Sequence, residues 1–271
     1  MAKLLVKMKN IKEIPLLKFR LSTLICFCFI GIYLNNAWAQ PEADEILTQL
    51  DKNYYYPQQT GLSKLQVRVR WQQLDVASGS GKFLRHPDFI FTWKLSGYTE
   101  FRDFKIVGDP NKYPRELILE LKSQIKNYGE LIIPLTLRQK FSKYSSQLTK
   151  EERGRESLLL SANSGIEPVQ SYHLMINKRK MKIETIRFKQ QFAPQNVNGM
   201  FRYKKLDNKW VIAESKSHFT MGELDFQEKS TYRYKKFDEI WLVHRIDQIL
   251  KQGNKIVQSH RFKITDVRKT F

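Results

Sequence analysis

Only two cysteines occur in 271 residues, and they are Cys26 and Cys28. The rest of the chain therefore holds no disulfide and no thiolate zinc site, and its core alone must hold it together. Prolines (nine) and glycines (twelve) are few and scattered, so no Pro/Gly/Ser-rich linker divides the chain, and residues 40–271 read as one domain. Acidic residues are scarce, with 27 Asp and Glu against 47 Lys and Arg and a net charge of +20. That balance favours anionic partners such as lipid head groups, phosphorylated glycans or acidic proteins.

Catalytic motifs are missing. Gly79-Ser80-Gly81-Lys82 resembles a phosphate loop, but Val76 stands where the upstream glycine belongs and Phe83 where Ser or Thr is needed, so it reads as a hairpin loop. There is no Gly-x-Ser-x-Gly elbow. His86, His173, His218, His244 and His260 stand singly, and none has a partner at metal-ligand spacing. Glu100/Asp103 and Asp238/Glu239 read as solvated acids at turns. A glycan hydrolase would need two inward carboxylates across a groove, and no such pair is marked. No catalytic residue, metal or cofactor is expected.

One long apolar run exists, Leu21 to Leu34, behind a leader carrying Lys3, Lys7, Lys9, Lys12, Lys18 and Arg20. Ala37-Trp38-Ala39 supplies the small residues that a signal peptidase reads, so residues 1–39 are expected to be a signal peptide cut after Ala39. The run is short for a membrane span; an uncleaved anchor is the alternative. The mature chain is then expected in the periplasm, where nucleic acid, the usual partner of so basic a chain, is seldom met.

The remaining pattern is mostly strand. Pro41 to Tyr55 reads as an amphipathic helix with Ile46, Leu47 and Leu50 on its stripe, ended by Tyr54-Tyr55-Tyr56-Pro57. Leu65, Val67, Val69 and Trp71 alternate with polar residues, and Phe89, Phe91, Trp93 and Leu95 alternate with Ile90, Thr92 and Lys94; Phe101 to Val107 is a third strand. Pro114 opens a helix carrying Leu117, Ile118, Leu121 and Ile125, which Gly129 is expected to close. Residues 112–143 form a helical cover, and Lys143 to Arg155 reads as loop. From Ser157 onward, and clearly from Tyr172 to Val267, period-two alternation broken by short polar turns marks an antiparallel meander. The fold class expected is α+β. The face turned toward the helices is expected to carry Leu65, Val67, Val69, Trp71, Phe89, Phe91, Trp93, Leu174, Ile176, Ile212, Tyr232, Tyr234, Leu242 and Ile246, with Leu117, Ile118, Leu121, Ile125, Leu131 and Ile132 packing into its mouth.

The order of elements, with Ala43-Asp44-Glu45-Ile46-Leu47-x-x-Leu50-Asp51 early and Tyr232-x-Tyr234-x-x-Phe237-Asp238-x-x-Trp241-Leu242-Val243-His244-Arg245-Ile246 late, resembles the LolA-type outer-membrane lipoprotein-sorting superfamily, with its LolB, RseB and LppX-like relatives. The closing Phe262-x-Ile264-Thr265-Asp266-Val267 belongs to the same pattern. The resemblance implies a strongly curved antiparallel sheet, an incomplete up-and-down barrel, with helices over its open side and an apolar cavity for acyl chains. The function expected is carriage or binding of a lipid or lipid-modified protein, without catalysis, by a monomer. The cavity residues would be Val67, Val69, Trp71, Phe89, Phe91, Trp93, Leu117, Leu121, Leu174, Ile176, Ile212, Tyr232, Tyr234, Leu242 and Ile246. The rival is an envelope sensor or adaptor of RseB-like type, which binds a protein and fills its interior with side chains.

Turns of a meander alternate between the two ends of the sheet. One end thereby collects Lys178, Arg179, Lys180, Lys182, Lys204, Lys205, Lys209, Lys235 and Lys236, offset by Asp207, Asp238 and Glu239. This basic rim is expected to face an anionic partner such as a membrane surface, unless these lysines are only solvated turns.

Overall fold

In residues 64–74 the alternation read from sequence is the burial observed: Leu65, Val67, Val69 and Trp71 are buried, while Gln66, Arg68, Arg70 and Gln72 are partly exposed. The computed structural model describes residues 40–76, 79–97, 99–152 and 154–271, and the expected signal with its cleavage site lies outside them. The chain starts with helix α1 (Gln40–Asn53) and a short 3-10 turn (Pro57–Thr60). It then enters the middle of the sheet as β1 (Lys64–Leu74). It moves outward through β2 (Phe83–Arg85) and β3 (Phe89–Ser96) to the edge strand β4 (Thr99–Ile106). Helices α2 (Arg115–Ile132) and α3 (Leu137–Lys140) carry it to the opposite edge.

From that edge it returns as a meander of β5 (Tyr144–Glu152), β6 (Arg155–Ala162), β7 (Val169–Asn177), β8 (Lys182–Gln190), β9 (Asn196–Leu206), β10 (Lys209–Met221), β11 (Leu224–Phe237), β12 (Ile240–Gln252) and β13 (Lys255–Thr270). The last strand pairs with β1, giving the order β4-β3-β1-β13-β12-β11-β10-β9-β8-β7-β6-β5, with β2 beside β1. The sheet is curved, antiparallel and not closed into a barrel. The return turns use residues suited to left-handed backbone: Asp207 and Asn208 both have positive φ (45° and 64°), which closes the β9–β10 hairpin in the hand that matches strand twist.

Two expectations are corrected. Lys143 to Arg155, read as loop, contains β5, paired with β6 from Tyr144↔Ala162 onward. Its sequence is polar because it is an edge strand with one face on α1, where Ser146 Oγ donates to Asp44 Oδ1 at 3.2 Å. Gly129 does not close α2, which runs on to Ile132. It is there because α2 presses on the sheet: a Cβ on Gly129 would meet Phe104 Cε2 at 3.2 Å and Phe91 Cε2 at 3.3 Å. The true end of α2 is held by Arg102, whose Nη1 donates to the Ile133 carbonyl at 2.6 Å while its other nitrogens grip Glu100.

Two apolar cores fill the concave side. The first joins Leu121, Ile125 and Ile132 of α2 to Val67, Val69, Trp71, Phe89, Phe91, Trp93, Leu242, Ile246 and Phe262. The second joins Ile46, Leu47 and Leu50 of α1 to Leu158, Leu160, Leu174, Ile176 and Ile183. Each such side chain contributes roughly 1.5–3 kcal/mol by burial.

His260 sits in the first region against Trp71, whose ring also stacks on His86, and Trp71 Nε1 donates to its Nδ1 at 3.0 Å. Burial, with a smaller contribution from His86, lowers the His260 pKa to about 4. The folded value lies below the ordinary one of about 6.5, so folding favours the neutral ring. Its stabilising contribution is complete above about pH 6.5 and is lost as pH falls toward 4. Urea melts at stepped pH should show that His260→Gln flattens the fall in stability between those limits. An unchanged pH dependence would remove His260 as its source.

Candidate functional site

Between the two cores the concave face is not filled. A cavity of about 310 Å³ lies over β8–β12, floored by Ile186, Phe201, Tyr203, Ile212, Tyr232, Tyr234 and Val243. Its roof has two pieces: Tyr54–Pro57, after α1, and a stretch from Glu130 to Phe141 that includes Leu131, Pro134, Leu135 and Leu137. The lining is apolar and aromatic, and its charged pair, Lys140 and Glu130, is self-neutralised at 2.8 Å.

Three consecutive tyrosines fix the roof. Tyr54 Oη accepts from the Ile183 N–H at 2.8 Å and lies 3.3 Å from Tyr203 Oη. Burial pushes the Tyr54 hydroxyl up to about 12. Tyr55 Oη accepts from the Trp241 N–H at 2.8 Å, and its own N–H donates to the Trp210 carbonyl at 3.0 Å. Tyr56 Oη donates to Asp51 Oδ1 at 2.5 Å. That carboxylate also accepts from the Leu137 N–H (2.7 Å) and the Arg138 N–H (3.1 Å), so it ties α1 to both roof pieces. Gln58 Nε2 donates to the Pro134 carbonyl at 2.6 Å and joins the two pieces directly.

Of the cavity residues expected from sequence, Leu174, Ile212, Tyr232 and Tyr234 line this space. Leu131 and Ile132, expected at the mouth, line it too. Val67, Val69, Trp71, Phe89, Phe91, Trp93, Leu121, Leu242 and Ile246 lie elsewhere, packed in the first core under α2, and Ile176 lies in the second. Among the described residues, α2 packs on the part of the face that the first group forms, and α1 on the part around Ile176. The side chain of Leu117 lies outside the described ones. Sequence reading missed Tyr54–Pro57, Phe201, Tyr203, Trp210, Trp241 and Val243. The run of three tyrosines was the one available signal, and it read as a helix stop.

A second unforeseen feature is polar. Glu228, Ser230 and Tyr232 alternate along β11 on the concave face beside Gln248 and Ser215. Tyr128 of α2 donates to Gln248 Oε1 at 2.5 Å, and Ser215 Oγ and Tyr232 Oη lie 2.9 Å apart. Burial pushes the Glu228 carboxyl up, partly offset by a hydrogen bond to Gln248. On the opposite, outer face of the same strands a wider depression of about 910 Å³ has Arg187, Lys216, Lys229 and Lys251 on its walls.

The expected basic rim borders the cavity. Turns β7–β8, β9–β10 and β11–β12 share one end of the sheet. Lys182 Nζ lies 5.2 Å from the Tyr203 ring centre and 5.3 Å from that of Trp210, with Lys205 Nζ 5.0 Å from Trp210. Lys204, Lys235 and Lys236 lie over Tyr234, Phe237 and Trp241 at 5.0, 5.4 and 6.0 Å. Lys178 pairs with Glu156 at 3.2 Å, Lys209 donates to the Lys52 carbonyl, and Arg179 and Lys180 are exposed on their turn. Two rim acids are engaged elsewhere: Asp207 accepts from Trp241 Nε1 at 2.9 Å and Asp238 pairs with Lys269 at 2.6 Å. The lysines thus form a cationic collar on aromatic rings, four of which (Tyr203, Trp210, Tyr234 and Trp241) line the cavity.

Among the described residues no group of His, Cys, Asp and Glu is placed to hold a metal, and no helix is long and apolar enough to cross a membrane.

No family model matches the sequence, and no curated protein matches it. Solved structures do. A domain assigned to outer membrane lipoprotein sorting from Vibrio parahaemolyticus is similar over 85% of this chain and 93% of its own, at 10% identity and a TM-score of 0.39. A LolA superfamily protein from Nitrosomonas europaea is similar over 84% of this chain and 94% of its own, at 11% identity and a TM-score of 0.32. The MucA/MucB complex of Pseudomonas aeruginosa supplies a third, with 85% of this chain and 99% of that one covered, at 8% identity and a TM-score of 0.22.

Proposed function

We propose that the chain is an exported, non-catalytic binder or carrier of a lipid or lipid-modified protein, and that it takes one apolar chain into the cavity between the two cores. The observation that carries this reading is a roofed, aromatic-lined space in an otherwise filled interior. Pockets for small ligands run from about 300 to 1,000 Å³, so a volume near the lower end suits a single acyl chain better than two. Each methylene placed there is worth about 0.8 kcal/mol. Release then requires the roof to lift, and its two pieces are joined by only a few hydrogen bonds. The collar of Lys182, Lys204, Lys205 and Lys236 supports an acidic head group or an anionic membrane at the mouth.

Mass spectrometry of gently purified protein should find co-purified lipid, and delipidated protein should take up a fluorescent fatty acid. Ile212→Trp, which fills the floor of the cavity, should weaken uptake by at least about tenfold and shift thermal stability by less than about 1.5 kcal/mol, because it enters existing space. Repeated absence of lipid together with no uptake would reject the reading. The rival, a protein-binding adaptor, is favoured by one observation: among the described residues, α2 and its apolar partners pack closely over β1 and β3. A protein that takes up no lipid would follow that rival.

A further inference from the structure

The outer, convex face of the sheet carries an arrangement that the cavity reading does not use. Arg70 on β1 directly opposes Lys263 on β13, Lys263 opposes Arg245 on β12, and Arg245 opposes Arg233 on β11. The next residues, Trp71, Phe262, Ile246 and Tyr232, form the matching row on the concave side, so all four cations point outward. Neighbouring strands lie about 4.8 Å apart, and the row therefore runs roughly 14 Å across four strands. Like charges facing each other across strands destabilise a sheet. The row is not explained by folding.

Among the described residues acids stand beside two of the four cations, with Asp88 3.6 Å from Arg70 and Asp247 beside Arg245. Two residues along the strands, Asp247 takes both Arg245 (2.7 Å) and Arg261 (2.9 Å). Farther along, Glu214 gathers Lys229 (2.9 Å), Arg202 (3.7 Å) and Lys216 (3.8 Å). The Lys229 hydrogen bond holds Glu214 below the ordinary carboxylate range. Burial would raise Asp247, but its two arginines outweigh this and lower it. Each acid is shared by two or three cations, and Lys263 and Arg233 have no carboxylate partner among the described residues.

We infer that this row binds a linear anionic polysaccharide, laid across the strands over β1, β13, β12 and β11. Guanidinium groups match carboxylates in two-pronged fashion. Four cations one strand spacing apart, about 4.8 Å each, suit the repeated charges of a linear polymer. Single-stranded nucleic acid is bound through aromatic stacking platforms as well as charge. The four row positions carry no aromatic side chain, and the nearby Phe83 ring is already covered by Arg261 at 4.6 Å.

The test titrates the full exported chain with polygalacturonate, oligo-dT and phosphatidylglycerol vesicles at low and at physiological salt. Arg233→Gln/Lys263→Gln should weaken polygalacturonate binding by at least about tenfold and make its salt dependence shallower, while the melting temperature stays equal or rises because opposed charges are relieved. Lys64 and Lys94 form a similarly opposed pair at another place on the sheet. Lys64→Gln/Lys94→Gln should therefore leave the affinity within about twofold. Unchanged affinity in the folded first variant, or equal loss in the second, overturns the inference. Tighter binding of oligo-dT or of vesicles than of polygalacturonate overturns the choice of polymer. None of these outcomes depends on whether the cavity holds lipid.

Discussion

Leu121→Asp should lower the melting temperature by at least about 10 °C, or abolish the cooperative transition. Leu121 is 2% exposed and packs in one cluster with Phe91, Trp93 and Ile125. Losing the leucine in such a place costs about 2–5 kcal/mol. A carboxylate left there without a partner adds several more, unless it takes up a proton. A domain of this size has only about 5–15 kcal/mol to lose, and each kcal/mol is worth roughly 2–4 °C. The result also separates two meanings of the helical cover. Were α2 a mobile lid, the substitution would abolish ligand retention with little thermal effect. A cover fixed by Leu121, Ile125 and Ile132 predicts the opposite order, with stability lost first. Near-UV circular dichroism during the melt is the measurement, and an unaltered transition would take α2 out of the core.

How far the fold could be read from sequence depended on whether a residue's neighbours were its own strand or another element. Alternation in 65–71 and 89–93 settled which side chains face inward, because the opposite positions are Gln, Arg and Thr apart from Ile90, whereas Leu95 on the inward parity is exposed. The alternating turns of the meander put Lys178–Lys182, Lys204–Lys209 and Lys235–Lys236 at one end of the sheet, since that is a matter of connectivity alone. Burial, however, looks the same in sequence whether a wall is covered by a helix or by empty space. Val67 and Phe91 face α2, whereas Ile212 and Tyr234 face a cavity, and nothing in their own strands differs. Bulges added a second difficulty. The registers of β10 and β11 slip at Ile212/Glu214 and Arg233/Tyr234, so simple parity fails where Trp210 and Trp241 enter the lining. The cross-strand row of Arg70, Lys263, Arg245 and Arg233 was likewise invisible, because its members belong to four strands and only pairing register brings them together.

Asp51→Ala should destabilise the domain by about 3 kcal/mol and speed ligand exchange, and the two effects have one origin. Asp51 is 8% exposed and accepts three hydrogen bonds, from Tyr56 Oη and from the N–H groups of Leu137 and Arg138. Tyr56 belongs to one roof piece and Leu137 and Arg138 to the other, so the carboxylate is what makes Tyr54–Pro57 and the Glu130–Phe141 stretch move together. A buried donor left without an acceptor costs about 1–3 kcal/mol, but water reaching an opened roof repairs part of that loss. Asp51→Asn keeps the shape and part of the accepting capacity, and should fall between wild type and alanine. Asp44 is the internal control: it lies on the same helix, is exposed and accepts one bond from Ser146. Its alanine variant should change stability by no more than about 0.5 kcal/mol. Urea melts give the stabilities, and stopped-flow uptake of a fluorescent fatty acid gives the exchange rate. If Asp51→Ala lowers stability yet leaves amide exchange at residues 134–141 and the uptake rate at wild-type values, the roof does not open by parting these three bonds, and the gate must lie elsewhere on the cavity wall.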